Sequence, residues 1–226
     1  SLKPFKGVRH VVLVGIGGSS LGTEAVYHAL KSDKTPKLYV VDSIEDGLVE
    51  GVVKEVSATA LPKDIAVVVV SKSGNTTETV LNATRTLELV TKKYGGEIMK
   101  QVIFVGNAGT ALMDACALRG ATTIPMPEVV GGRYSVLTAV GIVPLSLLGF
   151  DIKGLREGAL EALTDANLKQ IEKRALTLAT LATRGVHTVN FFTFTKRLSS
   201  MGYWYRQLLA ESIGKRVQRG GNAFKY

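Results

Sequence analysis

The chain has 226 residues, 46% of them hydrophobic, and a formal charge of +9 from 28 Lys+Arg against 19 Asp+Glu. That apolar content excludes a disordered chain and supports at least one substantial core, and a single cysteine, Cys116, excludes an internal disulfide framework. No apolar run reaches the roughly 20 residues of a membrane-spanning helix, and no signal-peptide pattern is present, so a cytoplasmic protein without a membrane partner is expected.

Five short runs rich in β-branched residues follow in order: Val11 to Ile16, Lys37 to Asp42, Ile65 to Val70, Gln101 to Gly106 and Ala121 to Met126. Their near-continuous hydrophobicity marks strands buried on both faces. Helical patterns lie between and after them, at Leu21 to Leu30, Ile44 to Ala58, Thr76 to Lys93, Thr110 to Leu118 and Ser135 to Leu148. Strand–helix–strand alternation at this spacing predicts an α/β fold with a five-stranded parallel sheet. Two further helical segments, near Lys153 to Leu163 and Leu168 to Thr183, precede "HTVNFFTF", read as a strand, and "RLSSMGYWYRQLLAESIGK", read as a helix ending at Gly214. That renewed pattern suggests a domain over residues 1–183 and an incomplete first βα unit of a second over 184–226. Positive charge is dispersed except in the tail, where Lys215, Arg216, Arg219 and Lys225 follow the last acid, Glu211. The tail reads as a solvated end rather than a nucleic-acid arm. The general basic balance suits an anionic small substrate.

In an open parallel sheet, ligands bind beyond the carboxyl ends of the strands, so the loops there carry the weight. After the first strand comes "GIGGSSLG", Gly15 to Gly22. Glycines let backbone amides approach a ligand, and the next helix offers free N–H groups. A dinucleotide fingerprint is one reading, with Asp42 as the acidic partner, but Ser20 stands where the third glycine belongs. Tight strand-to-helix geometry alone is another. After the third strand, "SKSGNTTET" presents hydroxyls at Ser71, Ser73, Thr76 and Thr79 where a helix begins, and Lys72 adds a charge. Hydroxyls at a helix N-terminus suit a phosphate. An N-cap at Asn75 or Thr76 with Glu78 needs one hydroxyl, and four are a surplus.

After the fifth strand, Arg133 in "GGRYS" sits where an arginine can offset negative charge on a substrate oxygen, or form a surface ion pair. In the last helix Gln207 and Glu211 are four apart on one face. A carboxylate near a helix C-terminus is unfavourably placed, which suggests a general base; a pair with Lys215 is the alternative. His10, His28 and His187 lie outside these loops and read as structural, and no Cys/His cluster has metal-ligand spacing.

Together, "GIGGSSLG", "SKSGNTTET", "GGRYSVLTAVGIVPLSLLGFDI" and "WYRQLLAESIGK" resemble the glucose-6-phosphate isomerase family, in the family's order and over most of the chain. The resemblance implies a three-layer αβα sandwich of the sugar-isomerase (SIS), flavodoxin-like doubly wound type. It implies that Ser71, Lys72 (through its backbone), Ser73, Thr76 and Thr79 hold a sugar phosphate and that Gly18 and Ser19 touch the sugar. Arg133 would steady an enediolate, and Glu211, with Gln207 one turn before it, would shuttle a proton between two carbons. No cofactor or metal is implied, and the family forms dimers with shared active sites. Members also use a later histidine and lysine that have no counterpart here, so the chain is expected to be part of a longer protein and, in isolation, to bind sugar phosphates weakly and isomerise poorly. A phosphosugar-binding domain without catalysis and a nicotinamide-dependent oxidoreductase are the competing expectations.

Overall fold

The structure, a computed structural model, describes Leu2 and residues 5–214. The chain divides into two compact units, residues 1–150 with 195 onward, and residues 151–194. The first contains strands β1 (His10–Val14), β2 (Lys37–Val41), β3 (Ile65–Ser71), β4 (Val102–Gly106) and β5 (Thr122–Pro125). All pair in parallel in the order β2-β1-β3-β4-β5, with Val12 beside Tyr39 and Val67, and Val69 beside Phe104. This is the doubly wound α/β arrangement expected from the strand–helix alternation. β1 and β3 are neighbours although β2 separates them in sequence, so the topological switch point lies between them.

The valine runs explain the three layers. All seven residues of β3 are buried. Ile65, Val67 and Val69 face one hydrophobic cluster, and Ala66, Val68 and Val70 face the other, as a period of two requires. Helices α2 (Leu48–Thr59), α3 (Thr77–Tyr94) and α4 (Ala111–Leu118) cover the first cluster through residues such as Val56, Leu87 and Cys116. Helices α1 (Leu21–Leu30) and α5 (Ala139–Leu147) cover the second through Tyr27, Val140 and Val143. Full burial of one such valine contributes about 1.5–3 kcal/mol, so β3 anchors the sheet.

The apolar segment expected as one helix from Ser135 begins instead as a 3-10 turn, Gly132–Leu137, before α5. Thr138 accounts for the break: it is extended (φ −96°, ψ −173°) and its side chain accepts a hydrogen bond from Val140 N, capping α5. Helix α8 (Ser199–Ile213), ending at Gly214, belongs to the first unit.

The second unit contains α6 (Ile152–Glu161), whose N-cap Asp151 accepts from Gly154 N at 3.0 Å, and α7 (Asp165–Thr183). The segment His187–Phe194, expected as a strand, forms none. No neighbouring strand among the described residues supplies the ladder hydrogen bonds that would fix it, and apolar β-branched composition alone does not make a strand. Among the described residues no helix is long and apolar enough to cross a membrane. The basic tail from Lys215, with its alternative ion pair to Glu211, lies outside the described residues.

Candidate functional site

Four chain segments converge at the carboxyl edge of the sheet. The loop after β1 turns through a 3-10 segment, Gly17–Ser19, into α1. It runs close to β3, for a Cβ on Gly15 would lie 2.9 Å from Val70 O. It also abuts the turn carrying Arg133, since a Cβ on Gly18 would lie 2.7 Å from Arg133 N. Only glycine permits that approach. Ser135, 1% exposed, closes the junction by donating to Gly18 O at 3.2 Å and to Gly132 O at 2.6 Å.

The loop after β3 folds on its own hydroxyls. Gly74 N donates to Ser71 Oγ at 3.1 Å and Asn75 N to Ser73 Oγ at 3.2 Å. Gly74, at φ +67°, lies against Thr110, where a Cβ would be 2.7 Å from the Thr110 Cβ. Thr76 occupies the N-cap position of α3, yet its side chain makes no capping hydrogen bond. The hydroxyl is therefore not spent on the helix, which weakens the capping explanation for this loop. Ser71 and Thr79 are each 2% exposed. Lys72 is turned away from the role of a free charge: its Nζ donates to Glu128 O at 2.6 Å and Val130 O at 3.0 Å. The side chain thus ties the β3 loop to the segment before Arg133.

Helix α8 brings the remaining groups. Arg133 Nη1 donates to Glu211 Oε2 at 3.4 Å, and Gln207 Nε2 donates to Glu211 Oε1 at 2.9 Å. The ion pair is longer than the 2.7–2.9 Å of a tight charge-assisted bond. Arg133 keeps 19% of its side chain exposed and Glu211 48%, so the carboxylate is open to solvent while the arginine is more deeply set. Gln207 Oε1 is buried without a hydrogen-bond partner among the described residues. A Cβ on Gly17 would lie 2.8 Å from Gln207 Nε2, which places the β1 loop and α8 side by side.

Contacts missed from sequence hold this assembly. Trp204 Nε1 donates to Arg133 O at 3.2 Å, and Ser212 Oγ accepts from Arg133 Nε at 3.0 Å. Ser135 stands two residues after Arg133 and Ser212 directly follows Glu211, and that nearness in the chain was their only signal. Of the histidines, His10 opens β1 and its Nδ1 lies 3.2 Å from Tyr39 Oη, and His28 is in α1.

Glu24 on α1 is set near Asp42, the acidic partner of the dinucleotide reading. Burial pushes the Glu24 carboxyl above its ordinary 4.5, and the Asp42 charge pushes it further. Ser20 Oγ and Glu24 Oε1 are buried without hydrogen-bond partners among the described residues. A carboxyl raised in the folded state contributes stability that is full below pH 4.5 and lost as pH rises through the raised value. Glu24→Gln, neutral throughout, is therefore expected to melt progressively higher than wild type as pH is raised from about 4 to about 8. Thermal melts across that range check this, and a difference independent of pH would refute it.

Known proteins resemble the chain over most of its length. Residues 2–226 match the phosphoglucose isomerase family. The glucose-6-phosphate isomerase of Carboxydothermus hydrogenoformans is 32% identical over 94% of this chain and 48% of its own length. A probable glucose-6-phosphate isomerase of Haloarcula marismortui is 35% identical over 95% of this chain and 49% of its own. Among solved structures, a hypothetical protein from Thermus thermophilus superposes with a TM-score of 0.80 at 29% identity, covering 97% of this chain and 52% of that one. The glucose-6-phosphate isomerase of Chlamydia trachomatis gives 0.71 at 26% identity, covering 99% and 44%. The chain spans about half the length of the curated relatives it matches.

Proposed function

The chain belongs to the phosphoglucose isomerase family, and we propose that its crevice binds a hexose phosphate and carries the proton-transfer part of the interconversion of glucose 6-phosphate and fructose 6-phosphate. The observation that carries this reading is the meeting of Arg133, Gln207 and Glu211 beside the β1 loop, next to the strand whose hydroxyl-rich loop opens α3. The Ser71–Thr79 loop takes the phosphate, and this remote grip positions the sugar. Glu211 removes the proton from C2 of the open-chain aldose. The electron pair moves into a C1–C2 double bond and charge develops on O1. Arg133 offsets that charge. The same carboxyl returns the proton to C1, while the proton on O2 passes to O1, leaving the ketose. No atom is gained or lost, so this sequence of steps calls for no oxidant.

The division into a sugar-isomerase domain over 1–183 and the beginning of a second over 184–226 is part of this proposal. The chain's half-length match to its relatives supports a longer protein, although by compactness α8 groups with residues 1–150. A homodimer of the longer protein is likewise part of the proposal. In a thermal-shift titration we expect 6-phosphogluconate to stabilise the chain and NAD to leave it unchanged. Thr76→Val is expected to weaken 6-phosphogluconate binding about tenfold or more, as a hydrogen bond to a charged group contributes about 1.5–3 kcal/mol. Stabilisation by NAD alone would instead favour an oxidoreductase.

A further inference from the structure

The Arg133 side chain is held on three sides, and two of the holds have no part in the mechanism above. Its Nε donates to Ser212 Oγ at 3.0 Å. Its guanidinium carbon lies 4.4 Å from the centre of the Tyr134 ring. Tyr134 Oη and Ser212 Oγ are 2.8 Å apart. An arginine offers donors only, so Ser212 Oγ must accept from Nε. The remaining hydrogen bond links Ser212 to Tyr134, and the three groups form a closed triangle. Pinning Nε against one partner and the guanidinium face against a ring fixes both the position and the plane of the fork. The Nη edge is then the part turned to Glu211.

We propose that Ser212, together with Tyr134, is a positioning residue: it holds the Arg133 guanidinium in the plane where it meets negative charge forming on the substrate. This rests on the proposed reading of the site as a hexose-phosphate isomerase crevice. A preorganised donor stabilises developing charge without reorganising at the moment of reaction, whereas an arginine free to swing does not. Ser212 touches no substrate in this scheme. Its influence passes through Arg133, so it is felt on the charge forming at O1 and not on the phosphate.

The test uses two ligands of equal length. Arabinonate 5-phosphate carries a carboxylate at the enediolate position, and arabinitol 5-phosphate carries a neutral hydroxyl there. Affinities are measured by calorimetry on wild type, Ser212→Ala, Ser212→Thr and Tyr134→Phe. Wild type is expected to prefer the carboxylate. Ser212→Ala is expected to lose about tenfold in carboxylate affinity while binding the arabinitol phosphate within about twofold of wild type. Ser212→Thr, which restores a hydroxyl, is expected to recover most of the preference, and Tyr134→Phe to fall between. A Ser212→Ala variant that keeps the full preference, or that loses both ligands by the same factor, overturns the positioning role. So does a wild type that binds both ligands equally, which leaves the phosphate grip intact. A wild type that binds neither ligand overturns the reading of the site itself, and the positioning role with it.

Discussion

Glu211→Gln is expected to slow exchange of the C1 proton of fructose 6-phosphate in deuterated water by about 10²–10⁴-fold, the usual contribution of a positioned general base. Exchange followed by NMR reads proton abstraction directly and does not require completed isomerisation. The substitution keeps the shape of the side chain and leaves an amide oxygen to accept from Gln207, 2.9 Å away in the native pair. It removes the basic oxygens and the charge that faces Arg133. Phosphosugar affinity is expected to stay within about threefold, because the hydroxyl loop supplies most of the grip. Unchanged exchange would mean that the proton leaves by another route. Equal loss of exchange and affinity would make Glu211 a binding group, and a phosphosugar-binding domain without catalysis would then be the better account.

Gly18→Ala is expected to disable the site from a residue with no side chain. The new methyl carbon would stand 2.7 Å from Arg133 N, and still nearer the Gly132 carbonyl group. These are backbone atoms, with no rotamer to escape into. Either the β1 loop or the turn bearing Arg133 must retreat, and the Ser135 bond to Gly18 O, 3.2 Å long, goes with it. Overpacking of this kind costs about 1–3 kcal/mol of stability, and misplacing a catalytic group by about 1 Å costs about 10²-fold in rate. Gly132→Ala is the control, because a Cβ there meets nothing within 4 Å. Melting temperature and deuterium exchange, measured on both variants, separate the two effects. A Gly18→Ala protein with native exchange would show that the two loops are not mechanically joined.

Much of the sheet was legible because parallel strands buried on both faces leave continuous β-branched runs, as in "IAVVVV". "HTVNFFTF" has the same appearance and forms no strand, because pairing is a property of two segments and composition belongs to one. The division of labour in the site was half legible. Arg133 and Glu211 stood out by their positions after a strand and at a helix end. The contact between them spans 78 residues, and no local pattern announces it. The lysine shows the limit most clearly. Lys72 reads as a charge for the phosphate, and its two carbonyl acceptors lie 56 and 58 residues further on. A side chain's charge is written in its identity, whereas its partner is decided by which loops the topology gathers.

Trp204 is the chain's single tryptophan, and its indole N–H rests on the carbonyl of Arg133. The chain's one indole thereby stands one hydrogen bond from the Arg133 backbone. Any ligand that shifts the arginine's backbone alters the polarity around that indole, and the emission colour and intensity change with it. Ligand binding beside Arg133, as proposed, is expected to change that emission in the unlabelled protein, on the millisecond scale of mixing.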